Sequence, residues 1–335
     1  MSEIAATNPH SSIEVDPVYD RSDSSSDEGY DSSTKGSTAS VSSSIYAYRY
    51  ENGRRYHAYR EGQYPLPNDE TEQDRLDIVH HINLLLLNGD LHVAPLSNPQ
   101  RILDIGTGTG IWAIDMAEHY PSATVIGTDL SPIQPSWVPP NAEFQIEDAE
   151  SKWTWSSKFD FIHLRCLNGS ISDWRRLVEQ SFEHTAPGGY CEVDEYEISM
   201  FSDDGSLAPN NPMRRWNELF AEGVAKFGKA VDVPRLGRMM AEVGFEGVHT
   251  ELYKVPMGPW AKDKKQKELG VYYQLNAESG FEAYGMALFT RVLGMPMEEA
   301  EEVVKAAERE VRNRKVHSYV KRWVFYGRKP EEEDC

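Results

Sequence analysis

The sequence predicts an α/β fold of the Rossmann-like type, in which a mostly parallel sheet is covered by helices on both faces. The first observation is the segment RILDIGTGTGIW at residues 101–112, where an apolar run is followed by a glycine at every second position. The second is that apolar residues continue at helical spacing immediately afterwards. The third is that short apolar runs alternate with helical patterns farther along the chain, as they do in βαβ units.

The composition limits the classes of function. The chain has 335 residues and a net charge of −20, which argues against a nucleic-acid backbone as a direct partner. Its three cysteines show no paired spacing, so we expect a reducing compartment and neither disulfides nor a zinc site. The sequence contains no apolar run of membrane-spanning length and no signal-peptide core, so we expect a soluble intracellular protein without membrane contact.

The first 98 residues divide into two segments. Residues 1–44 are rich in Ser and Asp and are predicted to be a disordered tail, either a phosphorylatable or partner-binding arm or a solvated segment without a specific role. Residues 45–98 begin with tyrosines interleaved with arginines, and residues 69–87 are predicted to form a helix capped by Asn68 or Asp69. This segment is expected to form a cap or lid over a site, although its aromatic residues could instead only cover the core.

The glycine-rich turn is the most informative motif. Glycines at 106, 108 and 110 permit positive φ and close approach of backbone to a ligand, and they precede a helix N-terminus. A dinucleotide fingerprint would require a third glycine at position 111, which is Ile111, so NAD binding is disfavoured. Together with Asp104, the turn resembles motif I of the class I S-adenosylmethionine (SAM) methyltransferases. This resemblance implies that Asp104, Gly106, Thr107, Gly108 and Gly110 bind the methionine part of SAM.

The next two strands supply further candidate cofactor residues. Residues 123–131 form an apolar strand ending at Asp129, whose carboxylate can accept hydrogen bonds from vicinal ribose hydroxyls, with Leu130 beside it. A loop or capping role for Asp129 is the alternative. Residues 142–146 form a third strand, after which the methyltransferase pattern implies adenine contacts from Asp148 and Ala149, with Glu147 as a substitute for Asp148.

The fourth and fifth strands end near the same edge of the sheet. Residues 159–165 alternate as a strand, and Arg165 or Asn168 could reach the methionine part of SAM or the substrate. His163 lies inside this strand and is expected to be a structural histidine. A helix at 174–184 and a Pro-Gly-Gly turn lead to a strand at 190–196, where Glu195 is the candidate base or substrate contact. An exposed sheet edge is the alternative explanation for its acidic residues.

The remaining chain completes a methyltransferase domain at residues 99–330. Strands are predicted at 249–256 and 317–326, and the last strand is expected to be antiparallel in a sheet of seven strands. Helical insertions around 205–230 and 262–313 interrupt this pattern. The helices at 212–229 and 262–294 are where we expect substrate specificity to be determined.

A narrower resemblance covers residues 45 to the C-terminus. The segments YENGRRYHAYREGQYPLPNDETEQDRLDIVHH, RILDIGTGTGIWAIDMAEHYPSATVIGTDLSPIQPSWVPPN, FDFIHLRCLNGSISDW and PGGYCEVDEY are similar to those of the fungal LaeA-like methyltransferases. This resemblance implies SAM as cofactor and S-adenosylhomocysteine as product, together with a role in fungal secondary metabolism and development. It also implies a velvet-family or other regulatory partner and a location in the cytoplasm, the nucleus or both.

The resemblance leaves the methyl acceptor open, either a protein or a small natural product. Tyrosines of the 46–64 segment, Tyr56 among them, are expected to close over the cofactor. Methyl transfer by in-line displacement needs no metal and no catalytic triad, and the sequence suggests neither. The alternative from a different class is a SAM-binding regulatory or scaffold protein that assembles a complex with little or no methyl transfer.

Overall fold

A seven-stranded sheet forms the centre of the protein in a computed structural model that describes residues 11–19, 49–51, 53–56 and 66–331. A short β1–β2 hairpin precedes the first helix. A 3₁₀ turn at Val233–Arg235 leads into α5, and a π-helical turn at Leu288–Val292 follows α6. The elements are β1 Arg49–Glu51, β2 Arg54–Tyr56, α1 Glu70–Leu86, β3 Arg101–Ile105, α2 Ile111–His119, β4 Thr124–Asp129, β5 Ala142–Ile146, β6 Phe159–Arg165, α3 Trp174–His184, β7 Thr185–Phe201, α4 Pro212–Lys226, α5 Leu236–Val243, β8 Glu246–Pro256, α6 Lys264–Ala287, α7 Met297–Val311 and β9 Tyr319–Arg328.

The strand order in the sheet is β5-β4-β3-β6-β7-β9-β8. The pairs from β5 to β7 are parallel, and β9 runs antiparallel to both β7 and β8. The predicted α/β class and the antiparallel last strand are therefore confirmed. The strand order reverses after β3, so the carboxyl ends of β3, β4 and β6 enclose a crevice in which open α/β folds bind ligands.

Most predicted elements form close to their expected limits. The helix at α1 begins after Asp69, whose side chain accepts a hydrogen bond from the Glu72 amide as an N-cap. Two differences are informative. Strand β7 starts at Thr185 and includes the expected Pro-Gly-Gly turn, and α6 continues through Gly270 without a break. A Cβ atom at Gly270 would lie 2.0 Å from the Gly258 carbonyl oxygen, so this glycine permits close packing rather than ending the helix.

A helical cap covers the end of the sheet that carries β8 and β9. Helices α1, α4, α6 and α7 share one hydrophobic cluster with these strands, and its members include Ile82, Trp216, Phe281, Val304 and Val324. Each of these residues is at most 5% exposed. Since burial of large apolar side chains is the main stabilising term, the cap is an integral part of the fold.

The N-terminal segment 11–19 corrects one expectation. It belongs to the stretch predicted to be disordered, yet Val15 forms an antiparallel bridge to Ala261 and the Ile13 side chain is 8% exposed. Ile13 packs with Trp260 and Tyr319. The expectation was wrong for these residues because the few apolar side chains of the segment meet a preformed apolar surface. The rest of the predicted tail, residues 1–10 and 20–44, lies outside the described residues.

In the part of the chain that the structure describes, no helix combines the length and hydrophobicity needed to cross a bilayer.

Candidate active site

A cavity of about 250 Å³ lies between the carboxyl ends of the central strands and the helical cap. One half is lined by the ends of β3 and β4 and by residues 147–150, and it contains most of the predicted cofactor residues. The other half is lined by the end of β7 and by helices α1, α4 and α6. We call these the cofactor half and the acceptor half.

The glycine turn forms the floor of the cofactor half. Gly106 and Gly108 line the cavity and have φ values of 69° and 58°. A Cβ atom at Gly106 would lie 2.4 Å from a methyl carbon of Leu167. Gly110 is not among the lining residues; it caps α2 with φ 81° and packs against Phe144. The turn therefore combines close approach to the cavity with close packing beneath it.

Asp104 and Thr107 lie below the turn. The Thr107 hydroxyl donates to Asp104 Oδ2 at 2.6 Å, and Asp104 Oδ1 lies 2.8 Å from Nδ1 of His163. His163 is buried and stacks on Trp112 at 3.8 Å, in agreement with the expected structural role, and its burial lowers its pKa. Neither Asp104 nor Thr107 lines the cavity, so their side chains hold the turn in place, and direct contact with the methionine part stays a prediction.

Asp129 and Leu130 line the cofactor half at the end of β4, as predicted. Asp129 Oδ2 accepts from the Gly108 amide at 2.9 Å and Oδ1 from the Ser131 amide at 2.8 Å. Burial raises the pKa of Asp129 to about 6. An ionised carboxylate offers about four acceptor positions, so Asp129 can still accept bonds from two vicinal hydroxyls. This residue therefore fits a ribose.

Asp148 and Ala149 line the same half from the loop after β5. The Asp148 carboxylate accepts from the Glu150 amide at 2.9 Å and from the Ser151 hydroxyl at 3.3 Å, which fixes its direction. Ala149 is held by the Trp153 indole, which donates to its carbonyl oxygen at 3.0 Å. Trp153 is itself a buried core residue.

The end of β6 and the following loop connect the two halves. Arg165 lines the cavity, and its Nη2 atom lies 3.3 Å from His80 Nδ1. Cys166 then adopts φ 57°, an uncommon value for a non-glycine residue and one often found at functional sites. Asn168 lines the cavity as well; its Nδ2 atom donates to the Tyr196 carbonyl oxygen at 3.0 Å.

Glu195 lines the cavity and holds this loop. Its Oε1 atom accepts from the Leu167 amide at 2.6 Å and its Oε2 atom from the Asn168 amide at 3.1 Å. The residue is fully buried on a strand between β6 and β9, so the exposed-edge alternative is wrong. Burial raises its pKa to about 8. The geometry gives Glu195 a positioning role, and its role as a base stays a prediction.

Tyr56 is not where the sequence suggested. It is 4% exposed within the β1–β2 hairpin, its ring lies 4.6 Å from the guanidinium carbon of Arg291, and it does not line the cavity. Ion pairs of Arg54 with Asp69 and of Glu51 with Arg291 hold the hairpin against the helices. The predicted cofactor contact of Tyr56 is therefore wrong. Of the other tyrosines, Tyr50 is exposed and residues 46, 48, 59 and 64 lie outside the described residues.

The residues that line the acceptor half were not predicted from the sequence as ligand contacts. Trp216 and Phe220 of α4 stack with centroids 5.0 Å apart, and Tyr273 and Tyr284 of α6 line the same space. Arg75 of α1 is buried and pairs with Glu72. The regions expected to carry specificity do contain these aromatics. The helical pattern does not reveal which face of a buried helix meets a ligand rather than another helix.

The glycine turn, the buried Asp129 carboxylate at the end of β4 and the sheet order fit a class I methyltransferase whose cofactor is SAM. The chain belongs to the methyltransferase-domain family, since the family model described as "Methyltransferase domain" matches residues 52–250. The protein is a SAM-dependent methyltransferase. It is similar to the LaeA-like regulators and to the methyltransferases named pytC and tdiE.

Three relatives illustrate this. "Methyltransferase pytC" of Aspergillus terreus is 40% identical over 98% of this chain and 100% of its own length. "Secondary metabolism regulator LAE1" of Cochliobolus heterostrophus is 38% identical over 84% of this chain and 95% of its own. "Probable methyltransferase tdiE" of Emericella nidulans is 36% identical over 78% of this chain and 83% of its own length. A solved phosphoethanolamine N-methyltransferase 2 of Haemonchus contortus overlaps with a TM-score of 0.44 at 19% identity, covering 77% of this chain and 52% of that one.

Proposed function

We propose that this methyltransferase transfers a methyl group to an oxygen or nitrogen nucleophile of a small, partly aromatic molecule of secondary metabolism. The supporting observation is the acceptor half of the cavity. It lies beneath α1, α4 and α6, and its walls are mostly apolar and aromatic with a few polar groups, which is typical of small-molecule sites. A protein substrate would need an open groove for its backbone on either side of the modified side chain.

Two amide side chains of the acceptor half are fixed by hydrogen bonds, and a third amide lies in the loop between the halves. Asn217 accepts from the Met200 amide at 3.2 Å, and Asn276 accepts from Arg75 at 2.8 Å. Asn168 Oδ1 is buried and has no hydrogen-bond partner among the described residues. An unpaired buried acceptor is unfavourable, so a ligand that donates a hydrogen bond there would be stabilised. A hydroxyl or amine on the acceptor molecule meets that requirement.

The mechanism requires the chain to position its ligands and to exclude water. SAM supplies a methyl group that is already activated on a sulfonium. The glycine turn lets the backbone come close to the cofactor half; Asp129 would accept from the ribose hydroxyls, and Asp148 and Ala149 would border the adenine. Trp216 and Phe220 exclude water from the acceptor half. Glu195 holds the loop that carries Asn168 between the two halves.

The test follows the label from methyl-labelled SAM. The purified protein is incubated with two fractions of a fungal culture extract, small molecules below 1 kDa and proteins, and label is measured in each. Label in the small-molecule fraction supports the proposal, and its loss in Trp216→Ala with unchanged SAM affinity places the acceptor under α4. Label confined to protein overturns the acceptor class. No label in either fraction despite tight SAM binding favours the scaffold alternative.

For location and partners, we propose the cytoplasm or the nucleus and association with a velvet-family regulatory protein. The support is the resemblance described above and the identity to relatives named secondary metabolism regulators, 38% and 35%. The test is fluorescence microscopy of the tagged full chain together with co-purification with a velvet-family protein. Exclusion from nuclei and failure to co-purify under conditions in which a LaeA relative succeeds would overturn the regulatory part.

A further inference from the structure

Arg165 differs from the other cations of the cavity. Among the described residues, three basic ones line it, and two of these are neutralised: Arg75 pairs with Glu72 at 2.6 Å, and Lys229 pairs with Glu150 at 2.9 Å. Arg165 forms no ion pair with a carboxylate of the described residues. Its hydrogen bond within that part of the chain is to a neutral acceptor, Nδ1 of His80, at 3.3 Å. The guanidinium therefore keeps its charge and most of its five N–H donors for a ligand.

His80 is itself fixed. It is 2% exposed, and its Nε2 atom lies 2.8 Å from Oδ2 of Asp115 on α2. An ionised carboxylate only accepts, so the proton lies on Nε2 and the Nδ1 lone pair faces Arg165. The chain Asp115–His80–Arg165 thus joins α2, α1 and the end of β6. A half-buried arginine oriented in this way is well suited to a planar anion.

We propose that Arg165 is a carboxylate-binding site within the cavity and that His80 and Asp115 are its positioning residues. The inference rests on the proposed function. The surrounding charges favour this location, because acidic residues line the cavity elsewhere: Asp129, Glu147, Asp148, Glu150, Glu195 and Glu197. An anion elsewhere in the cavity would meet carboxylates. The carboxylate could belong to the methionine end of the cofactor or to an acidic acceptor molecule.

The first experiment separates these sources. Calorimetry with Arg165→Gln compares S-adenosylhomocysteine with 5′-methylthioadenosine, which has the same nucleoside but no amino-acid end. If the carboxylate is the cofactor's, affinity for S-adenosylhomocysteine falls about tenfold to hundredfold, while affinity for 5′-methylthioadenosine changes less than about twofold. Arg238→Gln, at an arginine whose side chain is 82% exposed, is the matched control and changes neither.

The second arm tests an acidic acceptor. In the presence of S-adenosylhomocysteine, binding of 4-hydroxybenzoate is compared with that of 4-hydroxybenzamide, which lacks the charge. If the carboxylate is the acceptor's, the wild type prefers the acid by about tenfold and Arg165→Gln loses this preference. The proposal is overturned if Arg165→Gln affects neither pair of ligands. A wild type that binds no S-adenosylhomocysteine would instead contradict the proposed function.

The positioning residues have their own readout. His80→Ala should weaken binding of the carboxylate-bearing ligand about threefold to tenfold and leave its uncharged counterpart unchanged. His80→Gln keeps one donor and one acceptor and should restore much of the affinity. Asp115→Ala should resemble His80→Ala, and Asp115→Asn should resemble the wild type, since an amide oxygen still accepts from Nε2. Equal losses for charged and uncharged ligands would indicate general damage to the fold and overturn the positioning role.

Discussion

The guanidinium of Arg322 donates to both carboxylate oxygens of Asp194 in the interior of the sheet, with Nε 2.6 Å from Oδ1. Both side chains are at most 4% exposed. Arg322 also donates to the Tyr196 hydroxyl at 3.0 Å, and Tyr196 lines the cavity. The pair therefore connects the antiparallel last strand to the wall of the acceptor half.

Breaking this pair should strongly destabilise the fold. Arg322→Met leaves the Asp194 charge buried and unpaired, so we expect a loss of about 3–5 kcal/mol in the free energy of unfolding, measured by urea denaturation. The double variant Arg322→Met/Asp194→Leu should lose less than the single variant because no charge remains. Arg238→Met, at an exposed site, should change stability by less than about 0.5 kcal/mol. If the double variant lost as much stability as the two single variants Arg322→Met and Asp194→Leu together, the two side chains would not be energetically coupled.

Asp129 should control cofactor affinity. Asp129→Asn replaces one acceptor oxygen by a donor, so we expect binding of S-adenosylhomocysteine to weaken by about 1–3 kcal/mol, measured by calorimetry at pH 7.5. Glu143→Gln, on the neighbouring strand β5 and exposed, is the matched control. An unchanged affinity in Asp129→Asn would remove the ribose assignment.

The same carboxylate predicts a pH dependence of binding. Burial raises the pKa of Asp129 to about 6, so below that pH the group is protonated and loses acceptor positions. Affinity should therefore rise from pH 5 to pH 7 in the wild type. The rise should be nearly absent in Asp129→Asn, which cannot ionise.

Gly110 should be more sensitive to substitution than a glycine of similar φ in open space. A Cβ atom at Gly110 would lie 2.4 Å from Phe144, whereas Gly205, with φ 75°, has nothing within 4 Å. Both alanine variants incur about 1 kcal/mol for the left-handed conformation. Gly110→Ala should lose about 1–3 kcal/mol more, measured by urea denaturation. Equal losses would show that Phe144 moves aside freely.

Glu195 should affect methyl transfer more than cofactor binding. Glu195→Gln retains one oxygen acceptor, so one of the Leu167 and Asn168 amides loses its partner and the loop shifts. If Glu195 also acts as a base, the rate of the wild type rises through pH 8, since burial raises the pKa of its carboxyl to about 8. We expect that rise to be missing from the pH–rate profile of Glu195→Gln. A rise that persists in the variant would leave only the positioning role.

The docked N-terminal segment should contribute to stability. Ile13 is 8% exposed and Val18 is 69% exposed on the same segment. Ile13→Ala should lower the free energy of unfolding by about 2 kcal/mol, while Val18→Ala should change it by less than about 0.5 kcal/mol. Thermal and urea unfolding of the full chain provide the measurement. Equal small effects would mean that the segment is not held in solution.

The sequence predicted the features that depend on local pattern. The apolar runs of β3 to β6, the glycine turn and the carboxylate at the end of β4 all follow from spacing, so the strand ends that line the cofactor half could be predicted. The start of α1 followed from the predicted cap at Asn68 or Asp69.

The acceptor half could not be predicted because its contacts join distant parts of the chain. Arg322 and Asp194 are 128 positions apart, and Arg165 and His80 are 85 apart. An exposed sheet edge stayed a possible explanation for Glu195, because no local sequence pattern shows that β9 pairs with the strand that carries it. Tyr56 was misplaced because aromatic density does not indicate which surface a hairpin packs against.

The origin of the two halves has a consequence for how such enzymes diversify. The residues of the cofactor half lie at or just after the strand ends of the sheet, whereas the walls of the acceptor half come largely from α1, α4 and α6. New chemistry can therefore arise by changing helix faces while the sheet remains untouched. A designer who exchanges α4 and α6 as a matched pair should be able to alter which molecule is methylated without rebuilding the site for the methyl donor.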